Sequence, residues 1–262
     1  MRAAVLGSPI EHSLSPALHR AAYESLGLDW TYDAIEIDEP RLAGFIAGLD
    51  GTWAGLSLTM PLKQAVIPML DEVDAVALAV GAVNTVLPRG GRWYGANTDI
   101  AGIAQALTRA GASPGIRTAT ILGAGATARS AVAAAEVLGI REVVVCARRP
   151  DAAAAVAELA RARGLAATSR GLAPDPEVLS ADVVISTLPG AAGEPWATCA
   201  AEAPGVLLDA SYHPWPTPLA EAWTPGRVAS GRDMLLWQAV EQVRLMTGLE
   251  PPSDTMRAAL PA

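Results

Sequence analysis

The chain has 262 residues, 51% hydrophobic and 18% charged, which allows one large or two modest folded domains and excludes intrinsic disorder. A formal net charge of −8 argues against nucleic acid and anionic membranes as partners, so an anionic ligand must be held by local positive or hydrogen-bonding groups. Two cysteines, Cys146 and Cys199, make neither a disulfide framework nor a metal-ligand spacing, and no run approaches the ~20 apolar residues of a membrane span. Residues 1–7 run directly into a strand pattern with no signal-peptide character, so a soluble cytoplasmic protein is expected.

Residues 3–6 predict a short buried strand that ends at Gly7. Ser15 and Pro16 open a helix to about Leu26, with Ser15 as N-cap and Pro16 at the first helical position. A strand over 30–37, a helix over 42–49 and a strand over 53–59 follow, then helices over 61–70 and 73–80 and a strand over 82–87. This alternation predicts a mostly parallel sheet covered on both faces. A second alternating unit starts after Asp99: a helix over 100–110, a strand over 118–122, an alanine-rich helix over 125–138, a strand over 142–146 and a helix over 152–163. Short apolar runs at 183–186 and 206–209 read as buried strands. Residues 234–247 form a strongly patterned helix, and a short one follows Pro251. A domain boundary is expected near Asp99; periodicity leaves open whether the C-terminal helices return to the first domain.

Three segments carry chemistry. In Gly55-Leu56-Ser57-Leu58-Thr59-Met60-Pro61-Leu62-Lys63, an apolar strand ends on a hydroxyl, turns on proline and presents an ammonium, a common way to polarise a small oxygenated substrate. Gly95-Ala96-Asn97-Thr98-Asp99 is a polar turn before a helix. Gly123, Gly125 and Ala128 fit G-x-G-x-x-G/A between a strand and a helix, the context of a dinucleotide-binding turn whose helix N-terminus takes the pyrophosphate. The next strand ends in Ala147-Arg148-Arg149, with no acid at its tip to bind ribose hydroxyls. The two guanidiniums suit a 2′-phosphate and hence NADP; the alternative is two solvated loop arginines. Ser13 and Ser15, at the start of a helix, read equally as caps or as a grip on a carboxylate.

Taken together, GSPIEHSLSPALH (7–19), LTMPLK (58–63), GAVNTV (81–86), GANTDIAG (95–102), GAGATAR (123–129), YHPWPTPL (212–219) and MLLWQA (234–239) resemble the shikimate dehydrogenase family in order and spacing along nearly the full chain. The resemblance implies reversible NADPH-dependent reduction of 3-dehydroshikimate to shikimate. The implied fold is α/β: an N-terminal mostly parallel α/β substrate domain plus a Rossmann-like NADP-binding domain, with the active site in the interdomain cleft. The implied bounds are 1–99, with helices over 234–262 packing back on it, and 100–233. By position, Ser13 and Ser15 would bind the substrate carboxylate, with Tyr212 near it. Thr59, Asn84, Asp99 and Gln238 would bind ring hydroxyls, and Lys63 and Asp99 would be the catalytic pair. Gly123, Ala124, Gly125, Ala126, Thr127, Arg148 and Arg149 would hold NADP, with Gly231 near the nicotinamide.

Bottom-up chemistry agrees: ketone reduction builds negative charge on the carbonyl oxygen, which Lys63 can stabilise and protonate while Asp99 orients it. On the residues alone, a Lys63–Asp99 ion pair that merely joins domains is the alternative. Three departures from the family stand out. Ser57 replaces a frequent asparagine, Ser186-Thr187-Leu188-Pro189 replaces Asn-Ala-Thr-Ser, and Arg149 replaces a threonine. His12, His19 and His213 have no i+4 partner, so no metal is assigned. Cys146 reads as a small buried hydrophobe. A quinate or amino-analogue dehydrogenase, or a non-catalytic NADP-binding sensor, are the competing functions; a monomer or homodimer is expected.

Overall fold

The protein is described by a computed structural model that covers residues 1–261. It divides into two compact units: Met1–Thr98 together with the chain from Leu236 on, and Asp99–Leu235.

The first unit contains β1 (Arg2–Gly7), α1 (Ser15–Ser25), β2 (Thr31–Glu36), α2 (Glu39–Ala47), β3 (Trp53–Leu58), α3 (Leu62–Ala65), β4 (Glu72–Val73), α4 (Ala75–Val80), β5 (Thr85–Arg89) and β6 (Arg92–Ala96). They build one sheet in the order β2-β1-β3-β5-β6-β4. The strands β2, β1 and β3 run parallel, β5 is antiparallel to both β3 and β6, and β4 is parallel to β6. Central strands are buried on both faces, so β3 has no exposed residue, whereas the edge strand β2 buries only Tyr32 fully. Leu6, Leu42, Leu56 and Leu62 form the fully buried centre of this unit's core.

Several local expectations change. The hairpin β5–β6 is new: Gly90 and Gly91 take φ of 60° and 78°, the left-handed pair that a two-residue hairpin turn requires. The helix expected over 61–70 is broken into α3 and a 3-10 turn at Ile67–Met69, because Pro68 has no amide to continue the α ladder. The helix expected from Val73 starts at Ala75, since Asp74 accepts hydrogen bonds from the Val76 and Ala77 amides at 2.8 and 3.1 Å and caps it. Ser15 is not the N-cap of α1: Leu14 holds that position without a side-chain bond, and Ser15 is the first helical residue.

The second unit contains α5 (Asp99–Arg109), β7 (Thr118–Leu122), α6 (Ala126–Val137), β8 (Glu142–Ala147), α7 (Pro150–Ala162), β9 (Ala166–Gly171), β10 (Val183–Ser186), α8 (Glu194–Ala197), β11 (Val206–Asp209), α9 (Pro218–Ala222) and β12 (Val228–Ser230). All six strands are parallel, in the order β12-β11-β10-β7-β8-β9. Successive strands are added to one side from β7 to β9 and to the other from β10 to β12, so the unit is doubly wound with its switch point between β7 and β10. The edge strand β9 was not expected, because its AATSRG sequence is largely exposed and lacks an apolar run.

Two helices end the chain, α10 (Gly231–Thr247) and α11 (Ser253–Ala258). From Leu236 on, α10 belongs to the first unit. Gln242 reaches Ser57, and Gly55 has no side chain because a Cβ would come to 3.0 Å from Met246 Cε. The helix α11 packs on α1. Among the described residues, no helix is long and apolar enough to cross a membrane.

His19, on α1, is fully buried and stacks on Tyr32 with ring centroids 3.9 Å apart. Its Nδ1 lies 3.0 Å from the Ser15 carbonyl oxygen, which can only accept, so Nδ1 carries the proton. Burial drives the imidazole pKa down to about 4, partly opposed by that carbonyl bond. The unfolded chain therefore binds a proton near pH 6.5 that the folded chain refuses until about pH 4. Stability is lost as pH falls through that window, and above it the histidine is neutral in both states. The loss should reach about 3 kcal/mol from this residue. Chemical denaturation at pH 7 and pH 4 should show a smaller acid loss for His19→Leu than for the parent chain; equal losses would refute the assignment.

Candidate active site

One end of the first sheet gathers four of the expected site residues, Thr59, Lys63, Asn84 and Gln238, around the tips of β1, β3 and β6 and the start of β5. The Thr59 amide donates to the Leu6 carbonyl at 2.9 Å, extending the β1–β3 pairing by one step. Gly7 is required there, since a Cβ would stand 2.3 Å from Thr59 Cγ2. Asn84 sits between two strands: its carbonyl accepts from the Leu58 amide at 2.8 Å, and its amide donates to the Ala96 carbonyl at 3.1 Å. Its side chain accepts from the Thr98 amide at 2.8 Å and donates to Thr98 Oγ1 at 3.0 Å. Gln238 of α10 joins this group, its Oε1 3.4 Å from both Asn84 Nδ2 and Thr98 Oγ1. Next to Asn84, the Val83 amide donates to the Lys63 carbonyl at 2.8 Å and so ties α3 to the same corner. Lys63 is half-buried and is the single lysine among 19 basic residues.

Ser13 and Ser15 lie at the start of α1. Ser13 Oγ accepts a long 3.4 Å bond from the Ser15 amide, and Ser15 is buried. Asp99 opens α5, in the second unit, and is buried.

The residues expected to hold the cofactor lie around the switch point of the second sheet. Gly123 follows β7 with φ of 112°, and its amide donates to the Cys146 carbonyl at 2.8 Å. A Cβ on Gly123 would stand 2.2 Å from Thr187 Oγ1, which is itself fixed by a 2.9 Å bond to the Leu122 carbonyl. Gly125 is the N-cap of α6, and a Cβ there would meet nothing within 4 Å. The backbone is thus bare where an anion would approach the helix N-terminus, and Ala124, Ala126 and Thr127 add only small groups around it. The residues present fit a dinucleotide. Arg148 and Arg149 are exposed directly after β8, and neither forms an ion pair among the described residues.

Asp209, at the end of β11, organises the Tyr212 loop. It is buried, and burial raises its pKa against the bonds from Thr217 Oγ1 at 2.6 Å and the Ser211 amide at 3.1 Å. Tyr212 is half-buried, which raises its phenol pKa. Gly231 is forced by the same loop, since a Cβ would stand 2.2 Å from the Ala210 carbonyl oxygen.

The family model described as the shikimate dehydrogenase substrate binding domain matches residues 5–86, and the shikimate 5'-dehydrogenase C-terminal domain matches residues 231–260. The NADP(+) shikimate dehydrogenase of Citrifermentans bemidjiense is 42% identical over 99% of this chain and 94% of its own. The chain belongs to the shikimate dehydrogenase family. Among solved members, Mycobacterium tuberculosis shikimate dehydrogenase is 42% identical, covers 98% of both chains and superposes with a TM-score of 0.91. The Thermus thermophilus shikimate 5-dehydrogenase, solved in complex with NADP(H) and shikimate, is 34% identical over 99% of this chain and 98% of its own, with a TM-score of 0.83.

Two features of this family member are not legible in the sequence. Thr187 is visible there only as part of a changed loop, yet it is the group that packs against Gly123. Thr85 and Gln242 connect to Asn84, and only the four-residue spacing of Gln238 and Gln242 on one helix hints at it. Gly123→Ala should weaken dinucleotide binding by about tenfold or more, since a left-handed glycine and a filled space coincide there. Titration of NADPH fluorescence checks this, with circular dichroism to establish that the fold is kept; unchanged affinity would exclude the turn as the cofactor site.

Proposed function

We propose that the protein catalyses the reversible NADPH-dependent reduction of 3-dehydroshikimate to shikimate. The carrying observation is the buried group Asn84, Thr98 and Gln238 at the sheet corner that also holds Thr59 and Lys63. Full-length similarity to NADP-dependent shikimate dehydrogenases supports the same reading. When bound, NADPH supplies the hydride for the carbonyl carbon.

The chain's own residues supply the rest. Lys63 lies beside the carbonyl oxygen, stabilises the negative charge that builds there and delivers the proton that completes the alcohol. Arginine cannot do this, because its guanidinium does not deprotonate in proteins; a chain that otherwise uses only arginine keeps lysine at this position. Asp99 orients the ammonium and accepts from the neighbouring substrate hydroxyl. Thr59, Asn84 and Gln238 bind ring hydroxyls. Ser13, Ser15 and Tyr212 hold the carboxylate by hydrogen bonds, which suits a chain of net charge −8 with few spare cations. Gly123 to Thr127 take the pyrophosphate, Arg148 and Arg149 the 2′-phosphate, and Gly231 lies near the nicotinamide. The enzyme works in the cytoplasm as a monomer or homodimer.

The deciding experiment follows absorbance at 340 nm with shikimate and NADP, with quinate as the comparison. Turnover of shikimate well above quinate is expected; no turnover of shikimate would overturn the proposal. Lys63→Ala should lower kcat on the order of 10²–10⁴-fold with a much smaller change in KM, as for a positioned acid. Near-normal kcat in that variant would remove Lys63 from the chemistry.

Cofactor choice gives a second test. A hydrogen bond to a charged group contributes about 1.5–3 kcal/mol. The Arg148→Ala, Arg149→Ala double variant should therefore lose roughly two or more orders of magnitude in kcat/KM with NADP. Activity with NAD, which lacks the phosphate, should barely change. A wild-type preference for NAD, or a ratio that does not move, would make both arginines ordinary surface charges.

A further inference from the structure

We propose that the buried carboxylate of Asp209 makes this chain discriminate between the two redox states of its cofactor, favouring the oxidised, cationic nicotinamide ring over the neutral reduced one. The proposal rests on the reading that places the nicotinamide near Gly231.

Asp209 ends β11 and pairs in register with Ser230 of β12, so Gly231 is the next residue on the neighbouring strand. Adjacent strands lie roughly 5 Å apart. Direct contacts join the two positions. Asp209 Oδ1 accepts from the Ser211 amide at 3.1 Å, and the Ser211 carbonyl accepts from the Gly231 amide at 3.3 Å. A Cβ on Gly231 would stand 2.2 Å from the Ala210 carbonyl oxygen and 2.9 Å from that of Ser211. The Gly231 backbone is therefore laid against the turn that Asp209 holds.

The partners of Asp209 are those of a carboxylate. The Ser211 amide can only donate. Thr217 Oγ1 accepts from the Ala220 amide at 3.1 Å as the cap of α9, which leaves its own proton for Asp209 Oδ2 at 2.6 Å. Each carboxyl oxygen thus meets a donor, which favours the charged form. Asp209 is 2% exposed, and no cation pairs with it among the described residues. Neutral donors stabilise the charge without cancelling it, and in a buried setting its field reaches past the nearest contacts. The next charged residues in the chain, Arg232 and Asp233, offset one another formally, and Asp233 accepts from the Ser230 amide and hydroxyl at 3.0 and 2.8 Å.

Oxidised nicotinamide carries a positive charge on its ring, and the reduced form does not; the two cofactors are otherwise alike. A fixed negative charge beside Gly231 therefore acts on the difference between them. By holding the oxidised form more tightly, the Asp209 carboxylate also favours loss of the hydride from the reduced form, and so favours reduction of the ketone.

Isothermal titration calorimetry of the parent chain and of Asp209→Asn tests this, with three ligands: NADP+, NADPH and 2′-phospho-ADP-ribose, which lacks the nicotinamide. The parent should bind NADP+ more tightly than NADPH, a reading that does not depend on how the variant folds. In Asp209→Asn the affinity for NADP+ should fall about three- to thirtyfold, the effect of one partly screened charge. Affinities for NADPH and 2′-phospho-ADP-ribose should stay within about twofold. Thr217→Val removes one donor but keeps the charge, so the preference for NADP+ over NADPH should persist. A parent that prefers NADPH overturns this proposal alone. So does an Asp209→Asn variant that keeps the parent preference, or one that loses equally on all three ligands, since Asp209 would then only tie the turn together. A parent that binds neither NADP+ nor NADPH overturns the cofactor assignment and this proposal with it.

Discussion

The hydrogen bond from the Thr98 amide to Asn84 Oδ1 is the contact on which the first unit's polar corner depends. The backbone of Asn84 already joins the end of β3 to the end of β6, and this one bond adds the turn that leads into α5. Because the donor is a backbone N–H, the amide has no second orientation of equal energy. The polar chain through Thr85, Gln242, Ser57 and Tyr32 takes its direction from a second backbone group, the Asn84 carbonyl, which accepts from Gln242 Nε2 at 3.2 Å. In a low-dielectric interior such a chain is stabilising only when every member is satisfied, and here the bonds run without interruption from Tyr32 to Thr98.

The second unit solves a different problem. Its sheet is uniformly parallel, and the reversal of strand order between β7 and β10 leaves a crevice at the strand ends where a ligand can meet backbone amides. Gly123 packs against Thr187 on one side and donates to the Cys146 carbonyl on the other, so both faces of the turn are fixed by the protein's own contacts. Gly125 leaves the helix N-terminus uncovered. The two glycines do opposite things: Gly123 fits a crowded space, and Gly125 keeps one open. Preorganised donors of this kind bind an anion without a cost of reordering.

Legibility followed burial. The runs 118–122, 183–186 and 206–209 were readable because a strand buried on both faces is continuously apolar, and each coincides with an observed strand. The strand β9 is not legible because an exposed edge carries no such signal, and β6 because its RWYGA sequence mixes charge, aromatics and glycine. The Gly90-Gly91 pair before β6 did carry a hairpin signal that the apolar pattern overshadowed. Helix starts drifted where an acidic cap decided them, as at Asp38 and Asp74. Membership of the shikimate dehydrogenase family was legible from seven motifs, because those segments hold backbone turns and polar groups whose residue types have few substitutes.

What the sequence determined by itself was therefore local: the glycine turn between strand and helix, the paired guanidiniums after β8, the single ammonium at the end of an apolar strand, and the alternation that makes two α/β units. These depend on residue type and near-neighbour spacing, which a linear chain displays. Tertiary structure alone decided which groups satisfy one another. Thr187 reaches Gly123 only because β10 lies beside β7 in register, and Gln242 reaches Ser57 and Thr85 only because α10 crosses β3 at the height of Gly55, where a missing side chain makes room for Met246. Hydrogen bonds of this sort are set by distance and direction between segments far apart in the chain, and no periodicity records them.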